Sequence, residues 1–451
     1  MNTDNETIYA LATPAGRSAL AVVRVSGPRA FDGLTVLCGR DDFAPREAKL
    51  CRLRDTQSQA IIDEALVLYF AAPRSYTGEE SVEYHLHGGV AVVNAMLDAL
   101  GALDGHRLAE PGEFTRRAFE HGKMDLTEAE AVADLIDAET QMQAAQALDQ
   151  LGGALGDLYQ GWTDTLKADL AHLEAEIEFP DEDLPDTILA DLRPKIQALR
   201  GDITAHLDDN NRGERLRDGL KIAIIGAPNA GKSSLINLLA RRNVAIVSDQ
   251  AGTTRDVIDV HLNIGGYPVI VSDTAGLRPD QISNEGQDAI EQEGIRRALR
   301  AANDADLRIL LFDATDLPTF DAHTLALRAQ NDVFVLNKVD GDITLPADID
   351  GHSFSAISVK NERGIDALLA ALQTKITDMV GKREQPSLTR KRHRHALERG
   401  VEALDRAMNA PLPELAAEDL RLAIRELGRI TGRVDVEDLL DVIFNDFCIG
   451  K

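Results

Sequence analysis

The sequence predicts a multidomain α/β protein, and three observations predict it. At 451 residues the chain is long for one domain and has room for about three. A phosphate-loop pattern in mid-chain is flanked by apolar runs of strand length. The hydrophobic period changes from two to about 3.6 after Asp125, and stripes of that period return near the C-terminus. The reading is an α+β domain over residues 1–122 and an all-α helical domain over 123–217 and 378–451, with a P-loop domain over 218–377 inserted into it. Close domain termini make such an insertion tolerable.

In the first domain Leu20–Val25 and Ala65–Phe70 read as strands bounded by Gly and Pro. Ser81–His87 alternates, so its odd and even positions face opposite sides of a sheet. His85 and His87 then share a side. A metal site is one reading, but a lone His-x-His is weak, and a solvent-facing strand side is the plainer one.

From Asp125 the pattern is helical. Thr127 with Glu130 has the form of a capping box, and Leu126, Ala129, Val132 and Ile136 recur on one face. Gly152-Gly153 interrupts the run, and Phe179–Pro185 ends a helix in an acidic loop. The later stripes are Leu397, Val401, Leu404 and Met408, then Leu420, Ala423 and Leu427, then Val436, Leu439, Leu440, Ile443 and Phe447.

The mid-chain motif runs Gly226-Ala227-Pro228-Asn229-Ala230-Gly231-Lys232-Ser233, followed by Ser234, between a strand at Leu220–Ile225 and a helix over Leu235–Leu239. Its glycines let backbone N–H groups wrap phosphates at the positive end of the helix. Lys232 is placed to reach the β- and γ-phosphates, and the Ser233 hydroxyl to sit on Mg2+. Val333–Leu336 leads into Asn337-Lys338-Val339-Asp340, where an Asp can accept from the ring N–H and amine of guanine, a donor pair that adenine lacks. Val269–Ser272 leads into Asp273-Thr274-Ala275-Gly276, the form of an aspartate near Mg2+ followed by a glycine at the γ-phosphate. Gly252-Thr253-Thr254 supplies a threonine to complete the Mg2+ shell, and Ser358-Val359-Lys360 backbone N–H groups for the guanine carbonyl. In this order, each at a strand end, the motifs predict a GTP-binding domain with a Ras-like doubly wound sheet.

Leu277 stands where many GTPases carry a water-orienting Gln. Another group must therefore orient the water, or hydrolysis is slow. Asp280, Glu285, Asp288, Glu291 and Glu293 follow, and for most of them a solvated loop leading into a helix is the plainer reading. Asn229 puts a neutral amide inside the phosphate loop. It either ligates a monovalent cation, which can replace an arginine finger worth about 10³–10⁵ in rate, or merely stabilises the loop.

These motifs, with the ending Cys448-Ile449-Gly450-Lys451, resemble the MnmE (TrmE) family of tRNA-modification GTPases over essentially the whole chain. The resemblance implies that Asn229, Ser248, Gln250 and Thr253 bind K+, and that Ser233 and Thr254 hold Mg2+. It makes Glu291, three residues before Gly294-Ile295, catalytic together with Lys232. The stretch from Asp273 to Glu291 is longer here than in better-known members. The first domain resembles the folate-binding fold of the glycine-cleavage T-protein, which implies dimerisation and 5-formyl- or methylene-tetrahydrofolate at Arg24, Glu83 and Lys123. Lys451 then contacts folate, and Cys448 either reacts with substrate or only packs. The implied protein is a cytoplasmic, potassium-stimulated homodimer. With the FAD-dependent MnmG (GidA), in a heterotetramer or larger complex, it adds a (carboxymethyl)aminomethyl group to C5 of the wobble uridine of tRNA. Two other classes fit parts of the chain. One is an Era-like regulatory GTPase of ribosome assembly, against which folate binding would discriminate. A folate-dependent aminomethyltransferase with a regulatory G domain is favoured by turnover of a small amine without MnmG.

A formal charge of −27 argues against broad, unassisted nucleic-acid binding. Residues 381–400 nevertheless hold seven Lys or Arg against two Glu, either an RNA-phosphate contact or a solvated helix start. The start of the chain is acidic, without a signal-peptide apolar stretch, and no apolar run is long enough to span a membrane. Three cysteines without metal-ligand spacing fit a reducing cytosol.

Overall fold

The computed structural model describes residues 6–178, 188–242, 259–272, 302–329, 331–341, 343–381, 386–434, 436–445 and 447–450. The chain divides into two compact units, one of Met1–Ala133, Leu151–Pro185 and Ala410–Lys451, the other of Asp134–Gln150 and Asp186–Asn409. Helices expected to form one domain fall in both.

The first unit holds six strands: β1 (Thr7–Leu11), β2 (Leu20–Ser26), β3 (Lys49–Arg54), β4 (Ile61–Phe70), β5 (Ser81–His87) and β6 (His106–Leu108). Their order is β3-β4-β5-β2-β1-β6. All pairs are antiparallel except β1 with β6. The period-two alternation sorts the side chains. Val82, Tyr84 and Leu86 go into a core with Leu34, Leu37, Met96 and Leu100, while Glu83, His85 and His87 take the other face. Opposite Glu83 in the register stands Arg24 of β2.

Helix Glu113–Glu120 is fixed by a buried ion network. Arg117 donates to the Glu6 carbonyl at 3.0 Å and to the carboxylates of Glu79 and Glu113 at 3.1 and 3.0 Å. Glu113 also receives Arg107 and the Glu110 N–H. Burial alone would push the Glu113 carboxyl up, but these donors hold it below the usual carboxylate range. Behind that helix, Leu440, Ile443, Phe444 and Phe447 of the C-terminal segment pack on Leu126 and Ala129.

The capping box expected at Thr127 and Glu130 forms two residues earlier. Asp125 accepts from the Glu128 N–H at 2.9 Å, and Glu128 returns the contact to the Asp125 N–H at 2.7 Å. Asp125 also takes the Thr127 hydroxyl, so Thr127 and Glu130 are inside the helix and buried. Aspartate caps at least as well as threonine, and a reciprocal Glu completes the box.

The second unit's strands are β7 (Leu220–Ile225), β8 (Asp259–Ile264), β9 (Tyr267–Ser272), β10 (Leu307–Asp313), β11 (Val333–Asn337) and β12 (Phe354–Ala356). They run in the order β12-β11-β10-β7-β9-β8, parallel except for the β8–β9 pair. Parallel strands buried on both faces read as continuous apolar runs, as β7 and β11 do. Helices Lys232–Arg241 and Ile365–Val380 contribute Leu235, Leu239, Leu368 and Leu372 to one core, and Phe312 and Phe334 centre another. This is the doubly wound sheet the motifs predict. Strand order reverses at β7, with β9 added on one side and β10 on the other, so the carboxyl end of β7 opens at the topological switch point.

In the basic stretch before and within helix Lys391–Asn409, two of the cations turn inward, while Lys391 and Arg399 are exposed. Arg390 donates to Asp134 at 2.7 Å, and Arg394 to Asp209, Glu214 and the Leu207 carbonyl. Two of the cations are thus partly buried and consumed internally; Lys382 and Arg383 lie outside the described residues.

Candidate functional site

The loop after β7 is shaped by its backbone. Gly231 opens helix Lys232–Arg241 at φ +100°, and a Cβ there would meet Asn337 Nδ2 at 2.3 Å. Only glycine fits both the left-handed backbone and that approach. Asn229 is also left-handed, at φ +68°. The Lys232 ammonium lies back over the loop, donating to the carbonyls of Gly226 at 2.8 Å and Ala227 at 3.0 Å. Ser233 and Ser234, on the first turn, are exposed.

Asn337 ties this loop to its neighbours. Its Nδ2 donates to the Ala230 carbonyl at 2.8 Å, its Oδ1 accepts from the Val359 N–H at 3.2 Å, and the side chain is 2% exposed. Lys338, at φ +64°, is paired with Asp313 at the end of β10. Burial alone would push the Asp313 carboxyl up, but Lys338 and Thr315 hold it below the ordinary range. Asp340 accepts from the Ser358 hydroxyl at 2.5 Å. Ser358 is itself buried, its backbone paired both ways with Arg363, and its hydroxyl accepts the Asn361 N–H at 3.0 Å. Lys360 follows, exposed. One polar surface thus gathers Asn229, Ala230, Gly231, Lys232, Ser233, Asn337, Asp340, Ser358 and Val359 from three separate loops. Ser248, Gln250, Thr253, Thr254, Asp273, Thr274, Ala275, Gly276, Glu291 and Lys451 lie outside the described residues.

A second polar group stands on the first unit's sheet. Arg24 Nε and Nη2 both reach Glu83 Oε1, at 3.1 and 3.0 Å. The Arg24 guanidinium lies 5.2 Å from the Tyr76 ring centroid and 5.8 Å from that of Phe114, a cation–π cradle that narrows its rotamers. Tyr76 is anchored by Thr115, and burial pushes its hydroxyl up despite Thr115 and Arg24. Neither aromatic is signalled in the sequence, because they sit 52 and 90 residues from Arg24 and touch it only in the fold. Lys123 is not joined to the Arg24–Glu83 pair; its ammonium donates to the Pro73 carbonyl at 3.1 Å.

The C-terminal tail docks on the same unit. Ile449 bridges Pro111, and Gly450, at φ +100°, passes so close to Leu11 that a Cβ would stand 2.2 Å from its carbonyl oxygen. Cys448 is exposed. His87 is bonded to Asp63 at 2.8 Å, and among the described residues no three His, Cys, Asp or Glu groups are placed to hold a metal. His85 and His87 share the face of β5 turned away from the core, His87 exposed and His85 half-buried. No helix among the described residues is long and apolar enough to cross a membrane.

A phosphate loop tied through Asn337 to an Asp–Ser pair, at the switch point of a doubly wound sheet, defines the second unit as a P-loop GTPase. The family description "GTP-binding protein TrmE N-terminus" matches residues 7–123, and "MnmE helical domain" matches 126–448. A "tRNA modification GTPase MnmE" of Parvibaculum lavamentivorans is 56% identical over 99% of this chain and 100% of its own. One of Paramagnetospirillum magneticum is 53% identical with the same coverage. A solved chain of Aquifex aeolicus Era overlaps 43% of this chain and 69% of its own, at 22% identity and TM-score 0.25. The chain belongs to the MnmE family of tRNA modification GTPases, and it is a GTP hydrolase that takes part in tRNA modification.

Proposed function

We propose that the chain couples GTP hydrolysis in its second unit to a folate-dependent modification of tRNA. It acts as a cytoplasmic homodimer with the FAD-dependent MnmG (GidA), in a heterotetramer or larger complex. The product carries a (carboxymethyl)aminomethyl group on C5 of the wobble uridine, its one-carbon unit drawn from 5-formyl- or methylene-tetrahydrofolate. The net charge of −27 leaves much of the grip on tRNA to the partner.

The observation that carries the nucleotide half is the buried Asn337, which locks the phosphate loop to the segment holding Asp340 and Ser358. Asp340 reads the N–H pair of guanine, with Val359 and Lys360 backbone N–H groups at its carbonyl and Lys338 alongside. Lys232 releases the loop carbonyls for the β- and γ-phosphates, cradled by Ala230, Gly231 and Ser234. Ser233 with Thr254 would hold Mg2+, near Asp273, and Thr274 to Gly276 flank the γ-phosphate. Asn229, exposed within the loop, fits a K+ ligand with Ser248, Gln250 and Thr253. These ions supply positive charge where negative charge develops. Glu291 orients the attacking water that Leu277 cannot.

On the first sheet, the Arg24–Glu83 pair fits a heterocycle that presents paired N–H donors, as a pterin does. Lys123 fits the ligand's anionic tail, and Lys451 closes the site from the docked C-terminal segment. Cys448, exposed there, faces the substrate.

Steady-state GTP hydrolysis in KCl against NaCl at equal ionic strength, for wild type and Glu291→Ala, tests this reading. Potassium-specific stimulation that disappears in the variant is expected. Equal rates in the two salts would contradict the cation role and leave Asn229 as a loop stabiliser.

A further inference from the structure

His85 lies on β5 two residues from Glu83, on the same face of the sheet. Its Nε2 is shielded from solvent yet has no hydrogen-bond partner. A dry, unsatisfied ring nitrogen costs free energy that native structures rarely leave uncompensated, and such atoms call for a functional explanation. The acceptor within reach is Glu83 Oε2, 3.5 Å away, too far and too poorly aligned for a formed bond.

The two oxygens of Glu83 are therefore unequal. Oε1 takes both N–H groups of Arg24; Oε2 faces only the waiting imidazole. The other charged groups around His85 are committed elsewhere: His87 to Asp63 of β4, and Glu64 of β4 to Arg52 of β3. Cross-strand, its partners are the apolar Leu66 and Val22. Among the described residues, no other hydrogen-bond partner of Nε2 is found.

We propose that His85 is a positioning residue for Glu83. With the proton on Nε2 it donates to Oε2, so the carboxylate is held from one side by Arg24 and from the other by His85. An ionised carboxylate offers about four lone-pair directions; two on Oε1 take Arg24 and one on Oε2 takes His85, so the remaining direction on Oε2 is aimed at a ligand's N–H donor. The 3.5 Å gap closes when the ligand draws Glu83 into that plane. This inference rests on the folate reading of the Arg24–Glu83 face and adds to it a residue that acts through Glu83, not on the ligand.

The test is calorimetric binding of 5-formyl-tetrahydrofolate to the full-length protein, for wild type, His85→Ala, His85→Gln and His87→Ala. A hydrogen bond to a charged group supports an expected rise in Kd of roughly tenfold for His85→Ala. The Gln amide can donate to Oε2 in the same place, so His85→Gln should stay within about threefold of wild type. His87→Ala, which loses only the Asp63 contact, should bind as wild type does. GTP affinity and melting temperature should be unchanged in all three variants. Unaltered affinity in His85→Ala, or an equal loss in the Ala and Gln variants, overturns the positioning role while leaving the folate reading intact. Failure of the wild type itself to bind overturns both.

Discussion

The two six-stranded sheets solve the same problem, holding polar groups rigidly at a surface, by different means. In the P-loop sheet the site is built from loops at the carboxyl ends of parallel strands, and its geometry is mostly backbone: a left-handed Gly231, carbonyls around Lys232, N–H groups at Val359. In the antiparallel sheet it is built from side chains that meet across strands, with Arg24 and Glu83 paired by register and Arg24 cradled by Tyr76 and Phe114. The first kind demands particular residues in a row. The second demands only that the right residues meet, from any distance in sequence.

Four experiments would break or sharpen that contrast. Lys232→Ala removes a charge aimed at phosphate and should lower kcat/KM for GTP by about 10²–10³, the usual cost of one preorganised donor. Tetrahydrofolate binding should be untouched, and a parallel loss there would deny that the sites are separately built.

Arg117→Ala leaves Glu79 and Glu113 buried without their cation. Breaking a buried pair costs about 3–5 kcal/mol, so calorimetry should show the first unit melting earlier. The helix that presents Phe114 to Arg24 is the one freed, and nucleotide affinity should not follow.

Asn337→Ala strands the Ala230 carbonyl and the Val359 N–H, at about 1–3 kcal/mol for each buried group left unsatisfied. Both stability and GTP affinity should fall. A variant that binds GTP normally would show that the three loops are aligned without the tie.

The smallest effect is one of pH. Burial, with Arg394 and Arg212 nearby, pulls the His206 imidazole down to about 4 from the usual 6.5, against the opposing pull of Asp209. Because the folded value is the lower one, the stabilisation is whole above pH 6.5 and is lost as pH falls from there through about 4. Urea midpoints should decline across that window for wild type, and less steeply for His206→Gln. An identical slope in both would assign the acid sensitivity to other groups.

The contrast also explains what could be read from the sequence. The Gly226–Ser233 and Asn337–Asp340 segments announced themselves because each is contiguous and follows an apolar run, and the sheet around them followed. β2 and β4 are visible as apolar runs bounded by Gly and Pro, and β5 by alternation, whereas the three-residue β6 carries too few positions to alternate. The cap shifted from Thr127 to Asp125 because two good capping residues stood two apart and only packing chose between them. The cations at Arg390 and Arg394 looked free because their acidic partners lie far off in sequence. Arg24, Glu83 and Lys123 came from family resemblance, and no local pattern points to Tyr76, Phe114 or His85.

The most direct test of the account is nucleotide choice by Asp340→Asn, comparing GTP with XTP. A carboxylate accepts the ring N–H and amine of guanine, whereas an amide can donate to the 2-oxo group of xanthine. A site built for such bonds discriminates by about 10⁴–10⁵. Wild type should strongly prefer GTP, and the variant should lose GTP hydrolysis while gaining XTP hydrolysis. If the variant keeps its preference for GTP, Asp340 does not read the base, and the site assembled around Asn337 is not the guanine site.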